Sequence, residues 1–203
     1  MTKHGDGEIV LVRHGETEWS RTGRHTSTTD LPLTERGREQ GRRLAARLAA
    51  LGAADFALVL SSPLQRARET CELAGLGARM ELEPDLVEWT YGRYEGLTSD
   101  AIEAAAPGWS LFTDGAPGGE SPEQVGARAD RVLARLLPVA RASGRAVVFA
   151  HGHVLRVLGA RWIGLPPAGA ARLLLDTTTL SVLGFYRGTP AIQRWNDRIE
   201  DRE

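Results

Sequence analysis

Three apolar runs stand out along the chain, and each breaks off into polar residues capable of chemistry. Ile9-Val10-Leu11-Val12 runs into Arg13-His14-Gly15-Glu16, Phe56-Ala57-Leu58-Val59-Leu60 into Ser61-Ser62-Pro63-Leu64-Gln65-Arg66, and Ala146-Val147-Val148-Phe149-Ala150 into His151-Gly152-His153. Continuous apolar runs of this length fit strands buried on both faces. Between them the pattern turns helical. Thr34 is placed to cap a helix whose stripe of Leu44, Leu48 and Leu51 lies opposite Arg38, Arg42 and Arg43, and Gly52 closes it. Ser62-Pro63-Leu64-Gln65 reads as an N-cap serine, a proline at N1 and a glutamine at N3, with Arg66 in the first turns. Thr98 predicts a short helix through Ala106, Ser121-Pro122-Glu123-Gln124 opens a helix to about Arg141, and Val154 to Ile163 is helical. Leu173 to Leu175, Leu180 to Tyr186 and Ala191 to Trp195 read as short strands.

Strands alternating with helices predict an α/β domain, and such sheets bind ligands outside the carboxyl ends of their strands. That rule brings Arg13, His14, Arg66 and His151 to one positively biased pocket. Thr17 to Leu33, polar and without a helical period, is longer than most connections and reads as a functional loop. Asp114 to Glu120 is turn-rich, a candidate lid. In Leu86 to Gly96, Glu88 stands among Trp89, Tyr91 and Tyr94. Two readings stay open there: Glu88 as a general acid in an aromatic pocket, or Trp89 and Tyr91 as core with Glu88 solvated.

Composition narrows the class. A net charge of -1 excludes broad attraction to nucleic acid or a membrane surface, so any positive field is local. The lone Cys71 excludes an internal disulfide and reads as a buried hydrophobe inside a helix. The polar N-terminus lacks the apolar core of a signal peptide, and no run approaches bilayer length, so a soluble cytoplasmic protein is expected. The whole chain, 1–203, reads as one domain with flexible ends at 1–7 and 196–203, His4 included in the first.

A neutral histidine nitrogen attacks phosphorus competently, and arginines suit the oxygens of a transferring phosphoryl group. His14, Arg13, Arg66, His151 and Glu88 supply a nucleophile, cationic donors and a proton donor. The competing use is a metal: His14 and His151 as ligands, with Glu88 or Asp176 completing the set. No H-E-x-x-H pattern is present and flanking arginines repel a divalent cation, so no metal is expected. His153 reads as structural or assisting, and His25 as reaching either substrate or solvent.

Leu11-Val12-Arg13-His14-Gly15-Glu16-Thr17-Glu18-Trp19, Ser61-Ser62-Pro63-Leu64-Gln65-Arg66-Ala67, Glu88 with Tyr91-Gly92 and Tyr94-Glu95-Gly96, Gly119-Glu120-Ser121 and Ala150-His151-Gly152 together resemble the histidine phosphatase superfamily, phosphoglycerate-mutase-like branch, over roughly Ile9 to Tyr186. The resemblance implies a three-layer α/β/α sandwich with a mostly parallel central sheet and the pocket at the strand ends. It implies His14 as the nucleophile that becomes phosphohistidine and Glu88 as the acid for the leaving oxygen. Arg13, Arg66 and His151 would clamp the phosphoryl group with the Gly152 amide and Ser20. Thr26, Ser27, Trp89 and Tyr91 would touch substrate. It implies no cofactor and no metal.

The departures bear on substrate. Trp89-Thr90 replaces the arginine-histidine pair usual in mutases of the family, the chain is short after Tyr94-Glu95-Gly96, and Ser20 and Ser27 replace a common asparagine and glycine. The first two changes remove charge for a phosphoglycerate carboxylate, and a smaller lid keeps a phosphoenzyme from water poorly, so hydrolysis is favoured over mutase transfer. Glu88 to Gly96 most resembles the branch holding sedoheptulose-bisphosphate phosphatases and mycobacterial broad-specificity acid phosphatases. The expectation is a metal-independent phosphomonoesterase for small phosphorylated metabolites, with a homodimer allowed. A cofactor-dependent phosphoglycerate mutase is the alternative enzyme, and a catalytically weak phospholigand-binding regulatory module the alternative from another class.

Overall fold

A computed structural model describes residues 7–198. Its strands are β1 (Glu8–Arg13), β2 (Phe56–Ser61), β3 (Met80–Leu82), β4 (Arg145–Ala150), β5 (Leu180–Tyr186) and β6 (Thr189–Asp197). They form one sheet in the order β3-β2-β4-β1-β5-β6. β1, β4, β2 and β3 pair in parallel, while β5 and β6 run antiparallel at one side. The helices are α1 (Glu18–Arg21), α2 (Glu35–Ala50), α3 (Gln65–Leu73), α4 (Ser99–Ala105), α5 (Leu111–Asp114), α6 (Pro122–Arg141) and α7 (Gly152–Trp162).

Successive side chains of a strand point to opposite faces. Ile9, Leu11 and Val148 therefore meet Val125, Val132 and Leu136 of α6 and Leu155 of α7. Val10, Val12, Val147 and Phe149 meet Leu44 and Leu48 of α2 and Cys71 of α3. Both faces are covered, which gives the expected three layers and explains why β1 and β4 are apolar throughout. Truncating Phe149 to alanine would leave a cavity costing about 3–5 kcal/mol. The adjacent strands β1 and β4 send their following helices, α2 and α7, to opposite faces. That divergence opens a crevice at their carboxyl ends, where Arg13-His14 and His151 emerge.

The caps behave largely as expected. Thr34 accepts from the Gly37 amide, Thr98 from the Ala101 amide, and Ser121 with Gln124 forms a complete capping box. Cys71 is buried, and that burial pushes its thiol up to about 12. Several expectations fail where a contact distant in sequence intervenes. α3 starts at Gln65 with Leu64 as its N-cap, so Ser62 is not the cap. The Ser62 hydroxyl lies instead 2.8 Å from His151 Nε2. Leu173 to Leu175 is not a strand, because its carbonyls serve side chains: Arg13 donates to Leu175 O and the Trp195 indole to Leu174 O. The segment Thr17 to Leu33 contains α1, closed by a reciprocal Thr17–Ser20 capping box.

The tails also reach further into the fold than expected. Gly7 is buried and donates to Ala140 O at 2.7 Å. Asn196 and Asp197 end β6, where the Asn196 amide donates to Ser181 Oγ and Asp197 pairs with Arg47 at 2.5 Å. His4 lies outside the described residues. The supposed lid is clamped: the Trp89 indole donates to Glu120 O, the Thr90 amide to Glu120 Oε2, and Arg128 pairs with Glu120 at 2.8 Å. A Cβ on Gly119 would stand 2.0 Å from Thr90 O, so only glycine allows that approach.

Candidate active site

β1 ends by delivering Arg13 and His14 to the crevice, and the turn that follows is built for close packing. A Cβ on Gly15 would lie 2.5 Å from Gly37 O, so a glycine there brings the first turn of α2 against the β1 exit. The buried His14 ring has Nδ1 2.8 Å from Gly15 O. A proton on Nδ1 satisfies that carbonyl and leaves the Nε2 lone pair free. Burial, then Arg66 and Arg13, hold the imidazole well below its usual range, so it is neutral near pH 7. That is the ionisation state a nucleophile needs.

Arg13 donates through Nη1 to Leu175 O at 2.6 Å, while its Nε is buried with no hydrogen-bond partner. Leaving a buried charged donor unmet costs at least about 1–3 kcal/mol, which marks a place where an anion would be welcome. The guanidinium lies across the start of α7, where a Cβ on Gly152 would come 3.3 Å from its carbon. A glycine at the first position of α7 makes that contact possible.

Glu88 is buried, so the solvated reading fails. Its Oε1 accepts from the Trp89 and Val154 amides, both at 2.9 Å, and its Oε2 from the His153 amide at 3.0 Å. The carboxyl group thus caps the N-terminus of α7, and Oε2, with one amide against two, keeps spare capacity. Arg128 fixes the segment from behind by donating to Asp85 O and Val87 O.

Arg66 and His151 form a buried layer beside the nucleophile. Arg66 Nε donates to His151 Nδ1 at 3.1 Å, and its terminal nitrogens donate to the carbonyls of Thr26, Ser27 and Thr29. His151 is neutral, held well below its usual range by burial and then by Arg66, and its ring centroid is 5.1 Å from that of His14. The donors expected to grip phosphate from these two residues are engaged with protein; direct contact would require those bonds to be exchanged. Glu95 completes the loop's anchoring, accepting from the Ser27 amide and hydroxyl and the Thr29 amide.

Above this layer lies a pocket of about 180 Å³, lined by Arg13, His14, Ser20, Thr26, Glu88, Tyr91 and Gly152 among the expected residues. Ser27 and Trp89 do not line it. Ser27 is spent on Glu95, and Trp89 is wholly buried core, edge-on to Phe112. Neither side chain is placed to touch a substrate held there, contrary to the expectation. The pocket also takes Gly23, Arg24, His25, Ser99, His153, Arg156 and Leu175. His25 and His153 stack nearly parallel, 9° apart, and the Tyr91 hydroxyl lies in a 2.5 Å hydrogen bond with His153 Nδ1. Arg156 was legible in principle: on a helix it shares a face with Gly152 and His153. Arg24 and Ser99 carried no local signal. A larger hollow of about 440 Å³ shares Arg13 and Ser20 with it and is also lined by Arg36, Gln40 and Thr177.

Among the described residues no three of His, Cys, Asp or Glu gather as a metal site. Asp176 accepts from Arg198 and Asn196. No helix among the described residues is long and apolar enough to cross a membrane.

The sequence model of the histidine phosphatase superfamily (branch 1) matches residues 9–198. The chain belongs to this family. An acid phosphatase of Mycobacterium tuberculosis is 42% identical over 181 residues, covering 89% of this chain and 87% of that protein. A sedoheptulose 1,7-bisphosphatase of Saccharomyces cerevisiae is 37% identical, covering 77% and 67%. The solved structure of an open reading frame from M. tuberculosis superposes with a TM-score of 0.87 at 36% identity, covering 94% of this chain and 97% of that one. The six-stranded sheet with helices on both faces is the fold of the histidine phosphatases, as the resemblance implied.

Proposed function

We propose that the protein is a phosphomonoesterase of the histidine phosphatase superfamily, hydrolysing small phosphorylated metabolites through a phosphohistidine on His14. The observation that carries this reading is the pairing, across one small pocket, of a neutral His14 with free Nε2 and a buried Glu88 with spare capacity at Oε2. His14 Nε2 attacks phosphorus in line with the ester bond, and Glu88 gives a proton to the departing oxygen. A water then enters on the same side, Glu88 takes its proton, and the N–P bond breaks to release inorganic phosphate. Arg13 supplies direct cationic contact through nitrogens not bonded to protein, assisted by the Gly152 amide at the α7 N-terminus. Arg66 lends its charge from beneath and holds the Thr26–Thr29 loop. The named relatives, an acid phosphatase and a sedoheptulose 1,7-bisphosphatase, support hydrolysis of a small monoester.

The pocket, smaller than the roughly 300–1,000 Å³ of drug-sized sites, suits a compact substrate. Phosphate release from an aryl phosphate, sugar phosphates and 3-phosphoglycerate, measured with and without EDTA, tests the reading. Turnover by the wild type that survives EDTA and disappears in His14→Ala is expected. Conversion of 3-phosphoglycerate to its isomer faster than phosphate release would instead make it a mutase.

A further inference from the structure

Resting on that reading, we propose that His153 makes the Tyr91 hydroxyl an acceptor for the proton on Glu88, so that the general acid stays loaded until a leaving oxygen arrives. His153 and Tyr91 are positioning residues in this role, acting through Glu88 rather than on the phosphoryl group. The pair answers a conflict within the site. Glu88 must start the reaction protonated, yet the Trp89, His153 and Val154 amides all donate to it, an arrangement that suits a carboxylate. A further neighbour has to accept the proton and hold it in place.

Two oxygens converge on Nδ1 of His153, the Tyr91 hydroxyl at 2.5 Å and Glu88 Oε2 at 3.9 Å. Burial, then the Glu88 charge, hold the Tyr91 phenol well above its usual range, and a side-chain hydrogen bond with Glu88 adds to this. Tyr91 therefore brings one proton to two neighbours. Burial, then Arg156, His25 and Arg13, hold His153 well below its usual range, so the ring is neutral and carries a proton on one nitrogen. The charged and titratable groups facing it are Arg13 from β1, His25 from the loop after α1, Glu88 and Tyr91 from the segment before α4, and Arg156 from α7 itself. On α5, the Phe112 ring stands edge-on at 5.4 Å.

The tautomer of His153 decides what Glu88 meets. A proton on Nδ1 would go to the Tyr91 oxygen and send the hydroxyl proton to Glu88, a fourth donor that fixes the carboxylate. A proton on Nε2 reverses the chain: the Tyr91 hydroxyl donates to Nδ1, and its oxygen is left to accept from Glu88 Oε2. Only the second arrangement keeps an acid in the pocket. His25 stacks 9° from parallel over the ring, with its own Nδ1 3.1 Å from Leu97 O, and holds His153 in that orientation. When the leaving oxygen takes the proton the Glu88 O–H bond breaks, the attacking water later restores it, and the Tyr91 O–H bond stays intact throughout.

The test reads the alkaline limb of kcat/KM for an alkyl phosphate, where the acid loses its proton. Tyr91→Phe removes the acceptor and should move that limb about half to one unit toward lower pH. His153→Ala frees the Tyr91 hydroxyl to donate to Glu88 and should move it further, by about one to two units from the wild type. The Tyr91→Phe/His153→Ala double variant should return to the Tyr91→Phe position, because the misdirected hydroxyl is gone. His153→Asn, whose amide oxygen stands near the place of Nδ1, should recover most of the shift. A limb that stays in place in both single variants, however far the rate falls, would reduce the pair to packing and overturn the inference. So would a larger shift in Tyr91→Phe than in His153→Ala. Histidine 15N NMR of the wild type needs neither turnover nor a folded variant: His153 should be neutral with its proton on Nε2, and a proton on Nδ1 would overturn the inference. That tautomer in a protein that releases no phosphate from any monoester would sustain the hydrogen-bond arrangement and defeat the phosphatase reading.

Discussion

Replacing Glu88 with glutamine separates the two jobs its carboxyl group holds. Three amides point at its oxygens, two at Oε1 and one at Oε2. The best amide orientation keeps its oxygen on Trp89 and Val154 and turns its NH2 onto the His153 N–H, donor against donor at 3.0 Å. An unmet buried donor costs about 1–3 kcal/mol. A loss of that size would lower Tm by on the order of 2–12 °C in a domain of this size. The chemical loss should scale differently. General acid catalysis is worth about 10²–10⁴ when the leaving oxygen needs a proton and little when it does not. Phosphate release from a series running from p-nitrophenyl phosphate to alkyl phosphates, read well below the variant's Tm, should therefore show a deficit that widens as the leaving group becomes more basic. A uniform deficit alongside a lowered Tm would reduce Glu88 to a helix cap. An unchanged Tm would refute the capping geometry itself.

Two further outcomes follow from the same site. His14, His151 and His153 are all held well below 6.5, first by burial and then by neighbouring charge, Arg66 for His14 and His151 and Arg156 for His153. The unfolded chain takes up their protons first, so stability is present above about 6.5 and is lost as pH falls through the window beneath it; denaturant titrations from pH 8 to 5 should show this, and a stability that rises over that range would contradict it. Glu95→Ala should leave the Ser27 and Thr29 amides without their acceptor and loosen the loop whose carbonyls hold Arg66; hydrogen exchange at residues 26–31 should rise while kcat/KM falls, and an unchanged loop would refute the anchoring role.

Much of this was legible because strand ends and helix caps are local. The apolar runs ending at Arg13, Ser61 and Ala150 needed no partner information to be read as strands, and Thr34 and Ser121 announced their helices by side-chain chemistry with the next turn. What escaped depends on contacts distant in sequence. Ser62 looks like a cap until His151, 89 residues away, takes its hydroxyl. Trp89 looks like a substrate platform until Phe112 and Glu120 enclose it. Arg66 reads as a phosphate donor, yet its nitrogens meet His151 and a loop up to 40 residues distant. Arg156, conversely, reads as an ordinary helical arginine until α7 is docked with that face toward the pocket.

The measurement that bears most directly on the central claim is capture of the covalent intermediate. Wild-type protein mixed with a phosphorylated substrate and quenched in base within milliseconds should carry one base-stable, acid-labile phosphate, mapped by mass spectrometry to the peptide containing His14 and absent from His14→Ala. Phosphate release at full rate from His14→Ala, or a label on another residue, would contradict the account.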